Sequence, residues 1–296
     1  MELLNKLCDF CACSGNEKEL LSFISDYARP YADEIFTDNL GNLYVRINRG
    51  NKKLMFSTSV DEVGFFTTIS EENNIKVAKI GNIEVNNIKD ALVTFENGKN
   101  GIICGKISDK MENYSVKVFS DSNTDFTGFT ASFAKNFDIN YSYVVSKGLS
   151  ARIGALVLLK LIEKNLTGYD FYFVFSVKKH IGMKGAKVIG NNIKPDYAII
   201  LDCFKGDNTP SVLFKDKLYI ADNNLGKTLI NCGFKGIVDK DCQSEGNAVQ
   251  TSYTGIPAVV CGLGIENIYS RNEICKGTEI ENLVNYLLKF FEKENV

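Results

Sequence analysis

The stretch Ser150–Val177, SARIGALVLLKLIEKNLTGYDFYFVFSV, decides the fold. Its first part, through Asn165, carries apolar residues at helical spacing, and its second part, from Tyr169, is a nearly continuous apolar run. A strand that is apolar on both sides is typical of a sheet whose two faces are covered by helices. The stretch therefore predicts an α/β layer, and it places a helix directly before one of the buried strands.

The same alternation of helices and strands continues to the end of the chain. MKGAKVIGNN predicts a short helix, PDYAIILDCF and IPAVVCGLG predict buried strands, and residues 279–294 predict a closing amphipathic helix. Upstream, LLNKLCDF predicts a first helix and residues 16–27 a second, which opens with a capping box formed by Asn16 and Glu19. Strand-like runs fill residues 34–69. The α/β pattern therefore appears on both sides of a different middle segment.

That middle segment, residues 70–146, contains short β-rich runs such as IKVAKI, ALVTFE, GIICGKI and YSVKVF, separated by Asn, Gly and Asp. No helix of convincing length is visible in it. We therefore predict a mixed sheet covered by helices in a discontinuous α/β domain, residues 1–69 and 147–296, interrupted by a small β-barrel-like domain at 70–146.

Composition argues against two classes of partner. Lys and Arg number 34 against 36 Asp and Glu, for a net charge of -2, so no electrostatic feature favours nucleic acid or an anionic membrane. No apolar run approaches the roughly 18 residues of a membrane span, and the opening MELLNKLCDF lacks the pattern of a secretory signal. We expect a cytoplasmic protein.

The nine cysteines are odd in number and scattered, which predicts thiols in a reducing compartment. Cys8, Cys11 and Cys13 form the one local concentration. Their spacing is compatible with a soft metal ion, but no second Cys or His pair lies nearby. The other interpretation is that they are small buried residues where a helix joins a loop.

Several motifs follow one another in an order and spacing that point to a known family. They are DNLGNLYVRI, KLMFSTSVDEVGFF, KGLSARIGALVLL, FVFSVKKHIGMKGA, PDYAIILDCF, TGIPAVV and YSRNEI. Together they resemble the glutamyl and tetrahedral aminopeptidases, also called the cellulase-M-like family, over nearly the whole chain. The resemblance implies cytosolic enzymes that use two divalent metals, Zn or Co, to remove N-terminal residues from peptides. It also implies dimerisation through the β insertion and assembly of dimers into twelve-subunit shells.

The resemblance also assigns the positions of the family's active centre, most of which carry other residue types here. In chain order the family's functional positions fall on Ser59 (a metal-binding His), Asp61 (the Asp that orients it), Ser150 (the metal-bridging Asp), Lys179 (the general base), His180 (a Glu ligand), Asp202 (an Asp ligand) and Tyr269 (a His ligand). Glu245 lies where the family usually has the Asp of Gly-Thr-Asp. Of the five ligand positions, only Asp202 keeps its residue, and His180 carries another side chain of a metal-binding type, so these two are the vestigial ligands.

Two of these differences decide the predicted chemistry. A serine hydroxyl at Ser150 cannot supply the shared negative charge that lets two divalent ions lie about 3.5 to 4 Å apart. A charged lysine at Lys179 cannot take a proton from water. We therefore expect no metal cofactor and predict an aminopeptidase-like protein that is catalytically inactive or repurposed, as a peptide-binding protein or an oligomer subunit.

Other roles follow for the residues of this cleft. Lys179 is predicted to replace the metal charge as a counter-ion for Asp202 and Asp61, and His180 to be a hydrogen-bonded cleft residue. Asp61 with Glu62 is either a catalytic acidic pair or, as we favour, a pair that serves packing and hydrogen bonding at a strand end. The alternative function is an active hydrolase, using either an unusual metal set or a Ser150 nucleophile with Lys179 as its base.

Overall fold

The computed structural model describes residues 1–71, 74–84, 86, 88–104, 114–118 and 124–294. Its strands are β1 (Glu34–Thr37), β2 (Leu43–Asn48), β3 (Lys52–Ser59), β4 (Gly64–Glu71), β5 (Asn74–Ile80), β6 (Leu92–Phe95), β7 (Asn100–Cys104), β8 (Tyr114–Val118), β9 (Thr130–Phe133), β10 (Asp138–Asn140), β11 (Tyr143–Ser146), β12 (Tyr169–Ser176), β13 (Tyr197–Lys205), β14 (Pro210–Lys215), β15 (Lys235–Val238), β16 (Ala258–Ile265) and β17 (Glu273–Lys276). Its α-helices are α1 (Glu2–Cys8), α2 (Lys18–Ala28), α3 (Leu149–Ile162), α4 (Ala186–Ile193), α5 (Asn223–Cys232), α6 (Gly246–Gln250) and α7 (Gly277–Glu294).

The largest sheet has eight strands in the order β1-β2-β12-β3-β13-β16-β14-β15. Its centre, β12, β3, β13 and β16, is parallel, whereas β2 and β14 run antiparallel to their central neighbours. Parallel neighbours need long crossover connections, and helices such as α3 and α4 lie in them. The carboxyl ends of the four central strands therefore meet at one edge of the sheet.

Both faces of this sheet are buried. Phe171, Phe173 and Phe175 of β12 belong to the larger core, which also contains apolar residues of α1, α2, α3, α5 and α7. Tyr172 and Val174, which alternate with them, belong to a second core together with residues of α4 and α6. Successive residues of a strand point to opposite faces. The apolar run of this strand is therefore continuous because both faces are covered.

Six further strands close into a barrel in the order β4-β5-β8-β7-β6-β9. The barrel has its own core, in which the rings of Phe65 and Phe133 meet edge to face at a centroid distance of 5.5 Å. After the barrel, a three-stranded sheet forms in the order β10-β11-β17. The predicted fold class, a helix-covered mixed sheet with a small all-β unit, is confirmed.

The barrel strands run from Gly64 to Phe133, so they begin before the predicted boundary at 69/70. Residues 143–146 pair with β17, and residues 138–140 pair with β11, so neither strand belongs to the barrel. The division into domains 1–69 and 147–296 against 70–146 stays a prediction. No helix within the described ranges is both long and apolar enough to cross a membrane.

The capping box predicted at the start of α2 is wrong. The helix begins at Lys18, and the Asn16 side chain instead donates to the carbonyl of Cys11 at 3.0 Å. Glu17 precedes the helix without capping it, and its carboxylate accepts from the backbone N–H groups of Gly15 and Lys178, both at 2.9 Å. The polar groups here therefore join the first helices to the loop after β12.

Candidate functional site

The predicted site residues lie at the carboxyl ends of the central strands. Ser59 is the last residue of β3, Lys179 and His180 follow β12, and Asp202 lies in β13. In α/β sheets of this kind ligands bind outside the carboxyl ends of the strands. The sheet thus brings these four positions, which are far apart in sequence, to one edge.

Lys179 and Asp202 form a buried ion pair. The lysine side chain is 8% exposed, and its ammonium group contacts Oδ1 of Asp202. Burial by itself lowers the pKa of Lys179, but the negative charge of Asp202, with smaller effects of Tyr269 and Glu245, raises that pKa well above its ordinary value. The lysine is therefore firmly charged, and the predicted pairing with Asp202 is present in the structure.

Asp61 has a different partner from the one predicted. It is fully buried, and its carboxylate accepts from the backbone N–H groups of Lys179 at 3.0 Å and His180 at 3.1 Å. The hydroxyl of Ser14 donates to the same carboxylate at 2.5 Å. Asp61 therefore fixes the short 3₁₀ turn that carries Lys179, and it does not neutralise the ammonium group directly.

His180 is half-buried beside Tyr269. The two rings meet edge to face at a centroid distance of 5.3 Å, and Gly81 of the turn after β5 is so close that a Cβ there would come within 3.1 Å of the histidine. Burial lowers the pKa of His180, with the charge of Lys179 acting in the same direction and Asp61 opposing it. His180 is therefore a neutral ring held between the sheet and the barrel.

Sequence reasoning missed Glu273, although it lies within the quoted motif YSRNEI. Its buried carboxylate accepts from the backbone N–H of Ser150 at 2.6 Å, the Ser150 hydroxyl at 2.8 Å and the backbone N–H of Tyr269 at 2.6 Å. Burial raises the pKa of Glu273 to about 7. The sequence did offer one signal for Glu273, because this acidic residue lies four positions after Tyr269, which was already assigned to the site. The Ser150 hydroxyl is thus bonded to Glu273 and not to Lys179.

Glu245 lies just before α6 and is 1% exposed. The Ser176 hydroxyl donates to its Oε2 at 2.8 Å. Its Oε1, like Oδ2 of Asp202, is buried without a hydrogen-bond partner among the described residues. Burial raises the pKa of Glu245 to about 8, although the charge of Lys179 opposes the shift. The centre therefore contains two buried carboxyl oxygens that can still accept a hydrogen bond.

Glu62, the neighbour of Asp61, belongs to a separate buried cluster. Its Oε1 lies 2.6 Å from the ammonium group of Lys147 and 3.1 Å from the guanidinium group of Arg152. The backbone N–H of Ala12 also donates to it, at 3.1 Å. These contacts match the packing role that we favoured over a catalytic acidic pair.

A comparison with known protein families identifies the family of this chain. Residues 125–286, more than half of it, match the family described as M42 glutamyl aminopeptidase. The chain belongs to this family. A relative from Acetivibrio thermocellus named "Putative aminopeptidase" is 26% identical, over 97% of each chain.

Solved structures agree with the M42 fold. The aminopeptidase APDkam598 of Desulfurococcus kamchatkensis superposes with a TM-score of 0.91 at 21% identity, covering 99% of this chain and 94% of that one. The TET1 peptidase of Pyrococcus horikoshii, which can assemble into a tetrahedron or a large octahedral shell, gives a TM-score of 0.85 at 23% identity and 98% coverage of both chains. The predicted family and fold are therefore confirmed.

The family resemblance implies enzymes that hold two divalent ions. The side chains of this centre that could bind a metal ion therefore need to be compared with that expectation. Among the residues that the structure describes, no group of three or more His, Cys, Asp or Glu side chains is arranged to hold a metal ion. Oδ1 of Asp202 faces the Lys179 ammonium group, and Asp61 is taken up by backbone N–H groups. The carboxyl oxygens of this centre that have no hydrogen-bond partner among the described residues are Oδ2 of Asp202 and Oε1 of Glu245, and both are buried.

The ion pair predicts a large effect of Lys179→Met. Loss of the ammonium group leaves the Asp202 carboxylate buried and uncompensated, so the free energy of unfolding should fall by about 3 to 5 kcal/mol. The matched control is Lys178→Met, which removes only a bond to the Leu40 carbonyl at 3.1 Å and should change stability by about 1 kcal/mol. Denaturant titration measures both. Equal losses in the two variants would contradict a stabilising pair, whereas the double variant with Asp202→Asn should recover part of the loss.

Glu245 predicts a dependence of stability on pH. Its pKa rises from 4.5 in its ordinary state to about 8 in the fold, so between these values the folded chain binds more protons than the unfolded chain. Stability should therefore fall as pH rises from about 5 to 8, by at most about 1.4 kcal/mol per pH unit for this one group. Glu245→Gln should flatten the slope, and the exposed control Glu19→Gln should leave it unchanged. Unfolding midpoints measured across this range test the prediction, and an unchanged slope in Glu245→Gln would refute it.

Proposed function

We propose that this chain is a non-hydrolytic member of the M42 family that binds peptides as a subunit of a homo-oligomer and does not use the family's two metal ions. The observation that carries the proposal is the buried contact between the Lys179 ammonium group and Asp202. An ammonium group supplies in this position the positive charge that a metal ion would otherwise provide.

Charge makes the ammonium group and a divalent ion mutually exclusive here. An ion bound to Asp202 would face Lys179 across a few ångströms of buried, poorly screened space. Moving the lysine aside would leave its charge unpaired in the same environment, which is strongly unfavourable. Ser150, at the bridging position, offers a hydroxyl that already donates to Glu273. These features support the loss of the metal pair.

The same lysine supports the loss of peptide hydrolysis. Attack of water on an amide needs a base that takes a proton near neutral pH. Lys179 occupies the position of that base, and its pKa, which burial would lower, is raised well above the ordinary value by Asp202. A serine mechanism lacks support as well, because the Ser150 hydroxyl contacts Glu273 instead of Lys179.

Peptide binding is supported by the family and by two buried acceptors that lack a hydrogen-bond partner in the described part of the chain. The M42 relatives are aminopeptidases, which recognise a free peptide N-terminus. In this chain, Oδ2 of Asp202 and Oε1 of Glu245 are buried acceptors with no partner in the described part of the chain. A peptide's α-ammonium group donates three hydrogen bonds and carries one positive charge, which loss of the proton from Glu245 balances without breaking the Lys179–Asp202 pair.

Assembly is supported by the relatives and by exposed apolar side chains. The TET1 relative forms closed shells. In this chain, Phe66 and Leu92 of the barrel are about half exposed, and Tyr141, between β10 and β11, is 99% exposed. We assign these surfaces to contacts between copies. The nine cysteines, all within the described residues and present as thiols, fit a cytoplasmic location.

Metal content and activity test the loss of catalysis together. Purified protein should contain no stoichiometric divalent metal by mass spectrometry and should not release arylamine from aminoacyl-arylamides with added cobalt, zinc or manganese. The TET1 peptidase serves as the active control. A variant combining Ser59→His, Ser150→Asp, Lys179→Glu, His180→Glu and Tyr269→His should gain bound metal. Two tightly bound ions, or metal-stimulated hydrolysis by the natural chain, would overturn the proposal.

Peptide binding is tested separately, with two labelled peptides of one sequence. The peptide with a free N-terminus should bind about tenfold more tightly than its acetylated form, since acetylation removes a charge-assisted hydrogen bond. Glu245→Gln should reduce that difference, and the exposed Glu19→Gln should not. Fluorescence anisotropy gives the affinities, and light scattering on the same sample gives the particle mass. Equal affinity for both peptides would exclude recognition of the N-terminus.

A further inference from the structure

The N-terminal segment contains a thiol pair that the proposed function does not use. Cys11 and Cys13 follow α1 and lie against two neighbouring barrel strands. The Cys11 thiol donates to the carbonyl of Thr94 on β6 at 3.3 Å, and the Cys13 thiol donates to the carbonyl of Ala131 on β9 at 3.0 Å. These strands are paired, with Thr94 opposite Ser132 and Phe95 opposite Ala131. Both sulfur atoms are therefore directed to the same small region of the barrel.

The backbone between the two cysteines is held in place. The N–H of Ala12 donates to the Glu62 side chain at 3.1 Å, and its carbonyl accepts from the N–H of Glu62 at 2.9 Å. Two residues of chain span at most about 7 Å. The Cα atoms of a disulfide usually lie about 4.4 to 6.8 Å apart, so the spacing is suitable for a bond between the two sulfur atoms.

The two thiols differ in the way that a redox pair requires. Cys11 is half-buried, whereas Cys13 is buried, so Cys11 is the more exposed of the two residues. Hydrogen bonding by the Cys13 thiol is the largest influence on Cys11 and lowers its pKa, with Ser132 and Lys147 contributing in the same direction. The pKa of Cys13 is raised well above its ordinary value, first by that hydrogen bond and then by burial. A low-pKa, accessible thiol beside a second thiol is typical of redox-active cysteines.

We propose that Cys11 and Cys13 form a peroxide-reactive dithiol that oxidises to an intrachain disulfide beside β6, β9 and the start of β4. The Cys11 thiolate attacks one oxygen of hydrogen peroxide, an S–O bond forms as the O–O bond breaks, and the departing hydroxide takes a proton and leaves as water. The Cys13 sulfur then attacks the Cys11 sulfur, an S–S bond forms as the S–O bond breaks, and a second water leaves. The two sulfur atoms together lose two electrons, and one peroxide is reduced to two waters.

Oxidation changes the contact between the N-terminal segment and the barrel. A disulfide has no S–H group, so the bond from Cys13 to the carbonyl of Ala131 and the bond from Cys11 to the carbonyl of Thr94 are lost. Gly64 packs directly on the Cys13 sulfur, since a Cβ there would come within 2.2 Å of it. Oxidation of the pair therefore changes the packing against Gly64, the first residue of β4, where the chain enters the barrel.

The experiment treats the reduced, full-length protein with hydrogen peroxide and then alkylates it with iodoacetamide. Chymotrypsin cleavage after Phe10 separates Cys8 from the pair. The peptide that begins at Cys11 should be lighter by two hydrogens and unalkylated, and dithiothreitol should restore both thiols. Before oxidation, Cys11 should be alkylated at least about tenfold faster than Cys242, which is also half-buried but whose pKa burial raises to about 12.

Two variants complete the test. Cys11→Ser should abolish the linkage and leave Cys13 a thiol, and Cys242→Ser should preserve the linkage. The mapping on the natural protein decides the question even where a variant does not fold. The proposal is overturned when both thiols of the natural protein stay alkylatable at peroxide doses that oxidise Cys242, or when Cys11 ends as a sulfinic acid or an interchain disulfide without a bond to Cys13.

Discussion

The ammonium group of Lys179 lies against the Asp202 carboxylate at the carboxyl ends of the central parallel strands, where both side chains are almost fully buried. Each ion depends on the other, because an unpaired charge in such a place is strongly unfavourable. The neighbouring groups adjust to this pair. Glu245 has a pKa raised to about 8 by burial, so it adds little negative charge at neutral pH. The centre is thereby close to neutral without any ion from solution.

The other buried carboxylates around the sheet edge each have partners of their own. Asp61 uses backbone N–H groups and the Ser14 hydroxyl, Glu62 uses Lys147 and Arg152, and Glu273 uses Ser150 and Tyr269. Each arrangement satisfies one carboxylate from a different direction. This explains why several acidic residues lie near one another while no three of them, within the described ranges, converge on one point.

Much of the fold was predictable from sequence because its signals are periodic. The apolar run of β12 and the helical spacing of α3 each extend over many residues and fit only one type of secondary structure. The bounds of both elements were therefore predicted to within a few residues. The Lys179–Asp202 pair was predictable as well, since the family resemblance places both residues at one centre, and β12 and β13 lie on either side of β3. The particular partners of Asp61 were not predictable, because they are backbone N–H groups, which no side-chain pattern reveals. Glu273 was missed for a related reason, since its role depends on a pairing between β17 and β11 that brings it to Ser150. The capping box failed because Asn16 found a tertiary partner in Cys11.

The contact between Gly81 and His180 joins the barrel to the sheet edge. The glycine has a φ of 82° and lies so close to the imidazole that even a methyl group would displace one of them. Since the chain contains a single histidine, a sample labelled only at histidine gives one pair of imidazole ring-proton signals. Ring currents from Tyr269, which meets the imidazole edge to face, make the frequencies of these signals sensitive to small displacements. The protein thus carries a built-in spectroscopic reporter of how the barrel is seated on the sheet.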